Sequence, residues 1–270
     1  MDEKDKYSYN LPPELIALSP AKPRSSSRML VYEKCSIEDS HFFELDTYLQ
    51  EGDHLIFNNT KVQKSRFFGV RERVEQNSVS APKIEVLLLN KLSEHCWSAL
   101  CKPAKKLKLF DEIKFNNLFS AKVIEATKPE FILEFNFETG TDQQNFEEVG
   151  QLPLPPYILK SRDYQESDTT DYQTIFAKNQ GAIAAPTASL HFDGKLLKKI
   201  AQKKINYSFV TLHVGPGTFF PIRAKKITDH RMHSENGQIS EKAAHEINRS
   251  KKNGGRIIPV GTTALRLIES

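Results

Sequence analysis

Lys83-Ile84-Glu85-Val86 alternates charged and apolar side chains, and Ser120-Ala121-Lys122-Val123 alternates again further along. Successive side chains on a strand point to opposite faces, so a period of two marks a strand with one buried side. These stretches belong to runs at 83–90 and 121–125, and four more strand-like runs lie at 66–70, 97–101, 112–115 and 131–135. Little helical periodicity separates them. Six short strands in succession between about Ser65 and Phe137 predict a compact barrel or sandwich.

Before this block the elements are short and mixed. Leu11-Pro12-Pro13-Glu14-Leu15 reads as a short helix opened by proline, whose missing N–H costs nothing in a first turn. Met29-Leu30-Val31-Tyr32 is a strand, 42–49 a brief helix ended near Gly52, and His54-Leu55-Ile56-Phe57-Asn58 a buried strand followed by an Asn59-Thr60 turn. After it, Pro153-Leu154-Pro155-Pro156-Tyr157-Ile158 reads as a stiff extended connector and the pattern becomes βα-like. Asp193 caps a helix over 195–203, with Leu196, Leu197 and Ile200 on one face, and 207–214 is a strand. Ser240 caps a helix over 241–252 that stops at Gly254-Gly255; 256–260 is a strand, and Gly261-Thr262-Thr263 turns into a last helix. The fold class expected is an α/β main domain with an inserted all-β barrel domain. The α/β domain is discontinuous, 1–62 with 152–270, and the barrel takes 63–151. An amphipathic pattern that has barely begun at Ser270 predicts that the C-terminal part of the α/β domain is missing.

The chain has 270 residues, 27% of them charged, and a formal net charge of +4. That balance is too mild to mark a dedicated nucleic-acid binder. Cys35, Cys96 and Cys101 cannot all pair, and the odd separation of the last two puts them on opposite strand faces. Reduced thiols, a charged N-terminus and no apolar run able to span a bilayer predict a cytoplasmic protein with no membrane association.

Several motifs invite chemical readings. Gly215-Pro216-Gly217 fails the dinucleotide fingerprint, whose third glycine would fall at Phe220, and neither a P-loop nor a Gly-x-Ser-x-Gly elbow occurs. His230-Arg231-Met232-His233 with Glu235 has the wrong spacing for two ligands on one helical face. A zinc hydrolase would need His191 or His213 as a third ligand, and lone histidines are more often only hydrogen-bonded. Val260-Gly261-Thr262-Thr263-Ala264 and His213-Val214-Gly215-Pro216-Gly217-Thr218 are strand ends followed by turns, where ligands gather in α/β sheets; tight, well-capped turns alone would explain them equally well. Lys102, Lys105, Lys106 and Lys108 form a basic loop beside Trp97 and Phe110, which suit phosphates and stacked bases. Lys198, Lys199, Lys203 and Lys204 read better as a solvated helix face.

Taken in order, Tyr9-Asn10-Leu11-Pro12, Arg24 to Leu30, Gly52-Asp53 through Val62, Ser65-Arg66, Lys102 to Leu107, Pro153 to Ile158, Tyr172-Gln173-Thr174, 181–192, 209–218, His230 to Glu235 and 254–270 resemble the S-adenosylmethionine:tRNA ribosyltransferase-isomerases of queuosine biosynthesis. The resemblance runs over essentially the whole chain. It implies an α/β domain interrupted by a β-barrel. The implied reaction transfers and isomerises the ribosyl part of S-adenosyl-L-methionine onto 7-aminomethyl-7-deazaguanine at the tRNA wobble position. Epoxyqueuosine forms, and adenine and methionine leave. No metal is expected, and the chain should act as a monomer with tRNA as partner. By motif membership the candidate general bases are His191, His213 and His233. Asn58, Arg66, Lys102, Lys105, Thr187, Gly215, Gly217, Glu235, Gly261, Thr262 and Thr263 are the candidate substrate contacts. Four residues depart from the family pattern: Ser189 where glycine is usual, Pro216, Phe220, and Pro259 in a strand where proline would delete a ladder donor. These departures and the early end leave a rival reading, an inactive RNA-binding remnant whose barrel and lysine loop still fold.

Overall fold

Arg28–Glu33 (β1) and Ser36–His41 (β2) form an antiparallel ribbon in the computed structural model, which describes residues 3–72, 81–117, 119–219, 224, 226–230 and 232–270. Lys34 and Cys35 turn the ribbon, both at positive φ, as a two-residue hairpin requires. A 3-10 helix at Phe42–Tyr48 leads to His54–Asn58 (β3), in which every residue is buried. Thr60–Val62 (β4) follows at once, so Thr60 opens a strand rather than closing a turn. By internal contacts the chain divides into two compact units, 1–62 with 154–270, and 63–153.

The second unit contains Arg66–Glu72 (β5), Lys83–Lys91 (β6), Cys96–Lys102 (β7), Glu112–Lys114 (β8), Phe119–Thr127 (β9) and Glu130–Phe137 (β10). They close an antiparallel barrel in the order β10-β7-β6-β5-β8-β9, so the barrel alternative holds over the sandwich. The alternation supplies its filling: Ile84, Val86 and Leu88 from β6, Ala121 and Val123 from β9, and Phe131 and Leu133 from β10 all point inward and are buried. Closure removes the unpaired edges that six short strands would otherwise expose. Thr141 caps Asp142–Val149 (α1), and its Phe146 packs into the same core beside Phe67 and Trp97. Trp97 is therefore core, its Nε1 donating to Asp142, and it is not available to stack on bases. Cys101 also faces inward, where burial pushes its thiol up to about 12; Cys96 faces the other way, half-buried.

In the first unit, the stretch expected to be an extended connector stays extended only to Pro155. Pro156 then occupies the first turn of Pro156–Leu159 (α2), a position where its missing N–H is harmless. Asp168–Asp171 (α3) precedes Asn179–Ala182 (β11), which pairs in parallel with β4. Asp193 caps Gly194–Gln202 (α4) by accepting from the Leu196 N–H, and Leu196 and Ile200 bury against Phe57 and Phe192. Asn206–His213 (β12), Asn236–Gln238 (β13), Glu241–Lys252 (α5, capped by Ser240), Ile257–Pro259 (β14) and Thr262–Ile268 (α6) complete the unit. The sheet order is β13-β12-β3-β14, with β12, β3 and β14 mutually parallel. No described helix is long and apolar enough to cross a membrane.

This topology changes the reading of Pro259. Among the described strands β14 pairs only with β3. The Val260 N–H donates to the Ile56 carbonyl, and the Arg256 carbonyl accepts from His54. Alternate residues of a parallel pair face alternate sides, so the Pro259 nitrogen points to the open edge and deletes no bond to β3.

Candidate active site

Because β3, β12 and β14 run in parallel, their carboxyl ends share one edge of the sheet, and the chain leaves the sheet there after Asn58, His213 and Pro259, into Asn59, 214–217 and 260–263. Open α/β sheets place ligands at such an edge.

His213 ends β12, with its Nδ1 2.8 Å from Thr60 Oγ1. Its ring lies flat against Gly181, where a Cβ would come within 2.9 Å of Nδ1; Gly181 also has φ +146. Burial pushes the His213 pKa down, which keeps the imidazole neutral near pH 7. His191 closes the 3-10 turn Thr187–His191, with Nδ1 3.1 Å from Ser27 Oγ and its ring 5.2 Å from that of Phe42. Burial lowers its pKa as well. Thr187 is exposed at the head of the same turn.

Glu235 holds the glycine turn. Its Oε1 accepts the Gly215 N–H at 3.0 Å, and its Oε2 pairs with the Arg266 guanidinium of α6. Arg266 also donates to the His233 carbonyl at 3.0 Å. The His233 ring rests on Gly217, where a Cβ would meet Cδ2 at 2.7 Å. Gly261, at φ +91, packs the third turn against the Thr187–His191 turn: a Cβ there would meet Ala188 Cβ at 3.0 Å. Thr262 is exposed. Among the described residues, Thr263 Oγ1 and the hydroxyl of the fully buried Ser189 have no hydrogen-bond partner. The serine at position 189 thus places a polar atom where nothing described satisfies it. Phe220 and Arg231 lie outside the described residues.

The remaining expected contacts have other surroundings, each within its own unit. Asn58 is completely buried: its Nδ2 donates to the Leu212 carbonyl, and its Oδ1 accepts from the N–H groups of Leu212 and Thr60. It splices β3 to β12 and offers no group to a ligand. Arg66, in the barrel, donates from Nε to Glu85 at 2.7 Å and lies 4.5 Å from the Phe68 ring centre. Its guanidinium is engaged inside its own unit. Lys102 and Lys105 are exposed on the barrel. Among the described residues no group of three or more His, Cys, Asp or Glu side chains is arranged to hold a metal ion, which leaves the zinc-hydrolase reading of His230, His233 and Glu235 without a site. Sequence reasoning missed Thr60, Gly181, Ser27 and Arg266. All four lie inside stretches that carry the family resemblance, and none is singled out by its own spacing.

An α/β sheet with half-buried histidines and glycine turns at its carboxyl edge, interrupted by a closed six-stranded barrel, defines a two-unit enzyme-like architecture. Residues 4–270 match the family described as queuosine biosynthesis protein, and the chain belongs to it. The S-adenosylmethionine:tRNA ribosyltransferase-isomerase of a Ruegeria species is 45% identical over 98% of this chain and 76% of its own length. The enzyme of the same name from Dinoroseobacter shibae is 47% identical over 98% of this chain and 75% of its own. The crystal structure of S-adenosylmethionine tRNA ribosyltransferase from Thermotoga maritima is 26% identical, with a TM-score of 0.43, over 98% of this chain and 72% of that one.

Proposed function

We propose that the chain transfers and isomerises the ribosyl moiety of S-adenosyl-L-methionine onto 7-aminomethyl-7-deazaguanine at the tRNA wobble position, giving epoxyqueuosine-tRNA and releasing adenine and methionine. The observation that carries this reading is 42–47% identity, over 98% of the chain, to relatives named as that enzyme. It works as a cytoplasmic monomer, with S-adenosyl-L-methionine as ribosyl donor and tRNA as partner, and its chemistry needs no metal.

The sulfonium acidifies the adjacent 5′ carbon, so a neutral general base there starts the rearrangement, and the amine of the deazaguanine must be uncharged to attack. His191 and His213 meet the base requirement, since burial holds both neutral. His191 is the better candidate because its tautomer is fixed. Ser27 Oγ donates to the Arg24 carbonyl at 2.9 Å, so it can only accept from His191 Nδ1, which leaves the lone pair on Nε2. His233 shapes the Gly217 turn, and the Glu235–Arg266 pair fixes the Gly215 turn around the donor.

The test is adenine release from S-adenosylmethionine by the purified chain with tRNA carrying the aminomethyl-deazaguanine, beside a relative of known activity. Release that depends on this tRNA is expected. No release while the control is active would overturn the reading in favour of an inactive remnant.

A further inference from the structure

The barrel carries one aromatic ring in a place that packing does not explain. Phe110 is 67% exposed, more than any other large apolar side chain described in its unit. It is also the only described non-glycine residue of that unit at positive φ, +67. A bulky residue in that region is uncommon and costs backbone energy. The turn is nonetheless firmly held: the Phe110 N–H donates to the Val123 carbonyl at 2.8 Å, Val123 N–H to the Asp111 carbonyl at 3.0 Å, and Lys108 N–H to the buried Asp111 carboxylate at 2.8 Å. The chain thus fixes a hydrophobic ring in solvent.

Lysines gather around it, with Glu134 and Glu112 standing opposite Lys122 on the two neighbouring strands. The Lys122 ammonium lies 5.4 Å from the ring centre, and Lys105, Lys106 and Lys108 are exposed on the segment leading into the turn. Glu112, opposite Lys122 in the β8–β9 pairing, accepts from Ser120. The other candidate rings of the barrel are occupied: Trp97 is buried, and half-buried Phe68 is flanked by Arg66 at 4.5 Å and Lys83 at 4.8 Å.

We infer that Phe110 and Lys122 form a stacking platform for an unpaired nucleotide of the RNA substrate, the ring taking the base face and Lys122 the neighbouring phosphate. The inference rests on the tRNA reading above and adds a binding site on the barrel. An open base face exists only where RNA is single-stranded, so the platform takes a loop nucleotide and not a helical stem. Stacking on a ring tolerates any base, which suits a contact outside the modified position.

Fluorescence-anisotropy titration of the full chain with tRNA carrying 7-aminomethyl-7-deazaguanine, at several salt concentrations, tests this. Phe110→Gly is the informative variant, because +67 is an ordinary φ for glycine and the fold is not put at risk. Its affinity should fall about five- to a hundredfold with the salt dependence unchanged, and Phe110→Trp should restore binding. Lys122→Ala should lower the salt slope by about one. Binding by Phe110→Gly within about twofold of the unaltered chain would overturn the platform while leaving the tRNA reading intact. If the unaltered chain itself fails to bind this tRNA, both fall together.

Discussion

Ser27 has a single hydroxyl proton and gives it to the Arg24 carbonyl, and that one bond decides what His191 can do. Removing the hydroxyl frees the imidazole to change tautomer; removing the imidazole removes the base proposed above. Adenine release should therefore drop by about 10²- to 10⁴-fold in His191→Ala, the range general bases supply. Ser27→Ala should lose less, and should lose it in turnover rather than in donor affinity. Undiminished turnover by His191→Ala would sink its assignment and move attention to His213. For His213 the proton count is less strict, because the Asn179 carbonyl that would take the Thr60 proton lies 3.4 Å from Oγ1, farther than His213 Nδ1 at 2.8 Å.

The two sheets respond differently to small changes in their strands. Gly69 lies where β5 crosses β8: a Cβ there would sit 2.5 Å from Ile113 Cγ2 and 2.7 Å from the Lys114 carbonyl. Backbone cannot swing aside, so Gly69→Ala should destabilise the chain by about 1–3 kcal/mol in urea unfolding. A neutral result would mean that β5 and β8 are less tightly closed than described. Pro259→Ala distinguishes edge from centre by sign. At an open edge it restores no bond and loosens the unfolded chain, costing up to about 1 kcal/mol; a gain in stability would mean that a strand pairs beyond β14. Period-two alternation made the six barrel strands legible in the sequence, because that signal is local and repeated. The caps at Asp193 and Ser240 were legible for the same reason. Partner order in a sheet is not local, and so the edge position of Pro259, the pairing of Thr60 with β11 and the burial of Trp97 were not. Nor were the partners of the candidate bases. Ser27 and His191 are 164 residues apart, and only the fold joins them.

At the scale of the whole chain, acid sensitivity follows from burying histidines in neutral form. His54 is 2% exposed and tied at both nitrogens, Nδ1 to Ser250 and Nε2 to Ser208, each at 2.8 Å. Ser208 donates onward to Glu246, so it accepts from His54 Nε2, and Ser250 donates to Nδ1. This string fastens α5 to the sheet and has no room for a second ring proton. Desolvation is the leading cause that lowers the His54 pKa, as it does for His191 and His213. All three bind protons more readily unfolded, near the ordinary value of 6.5, than folded. Their contribution is therefore complete above that value and is lost as pH falls through the lower folded values. Each group charged only when unfolded adds a slope of about 1.4 kcal/mol per pH unit. Asp53, Asp142, Asp168 and Asp193 are all held below their ordinary 3.8 by hydrogen bonds that outweigh burial, so their share fades only at more acid pH. Urea unfolding between pH 7.5 and 4.5 should thus show stability falling first in the histidine window. His54→Gln, which can still bond a serine at each end, should flatten that fall by up to one proton. A pH-independent stability across the window, or an unchanged slope in His54→Gln, would mean that His54 is charged in the fold and that the serine string runs the other way.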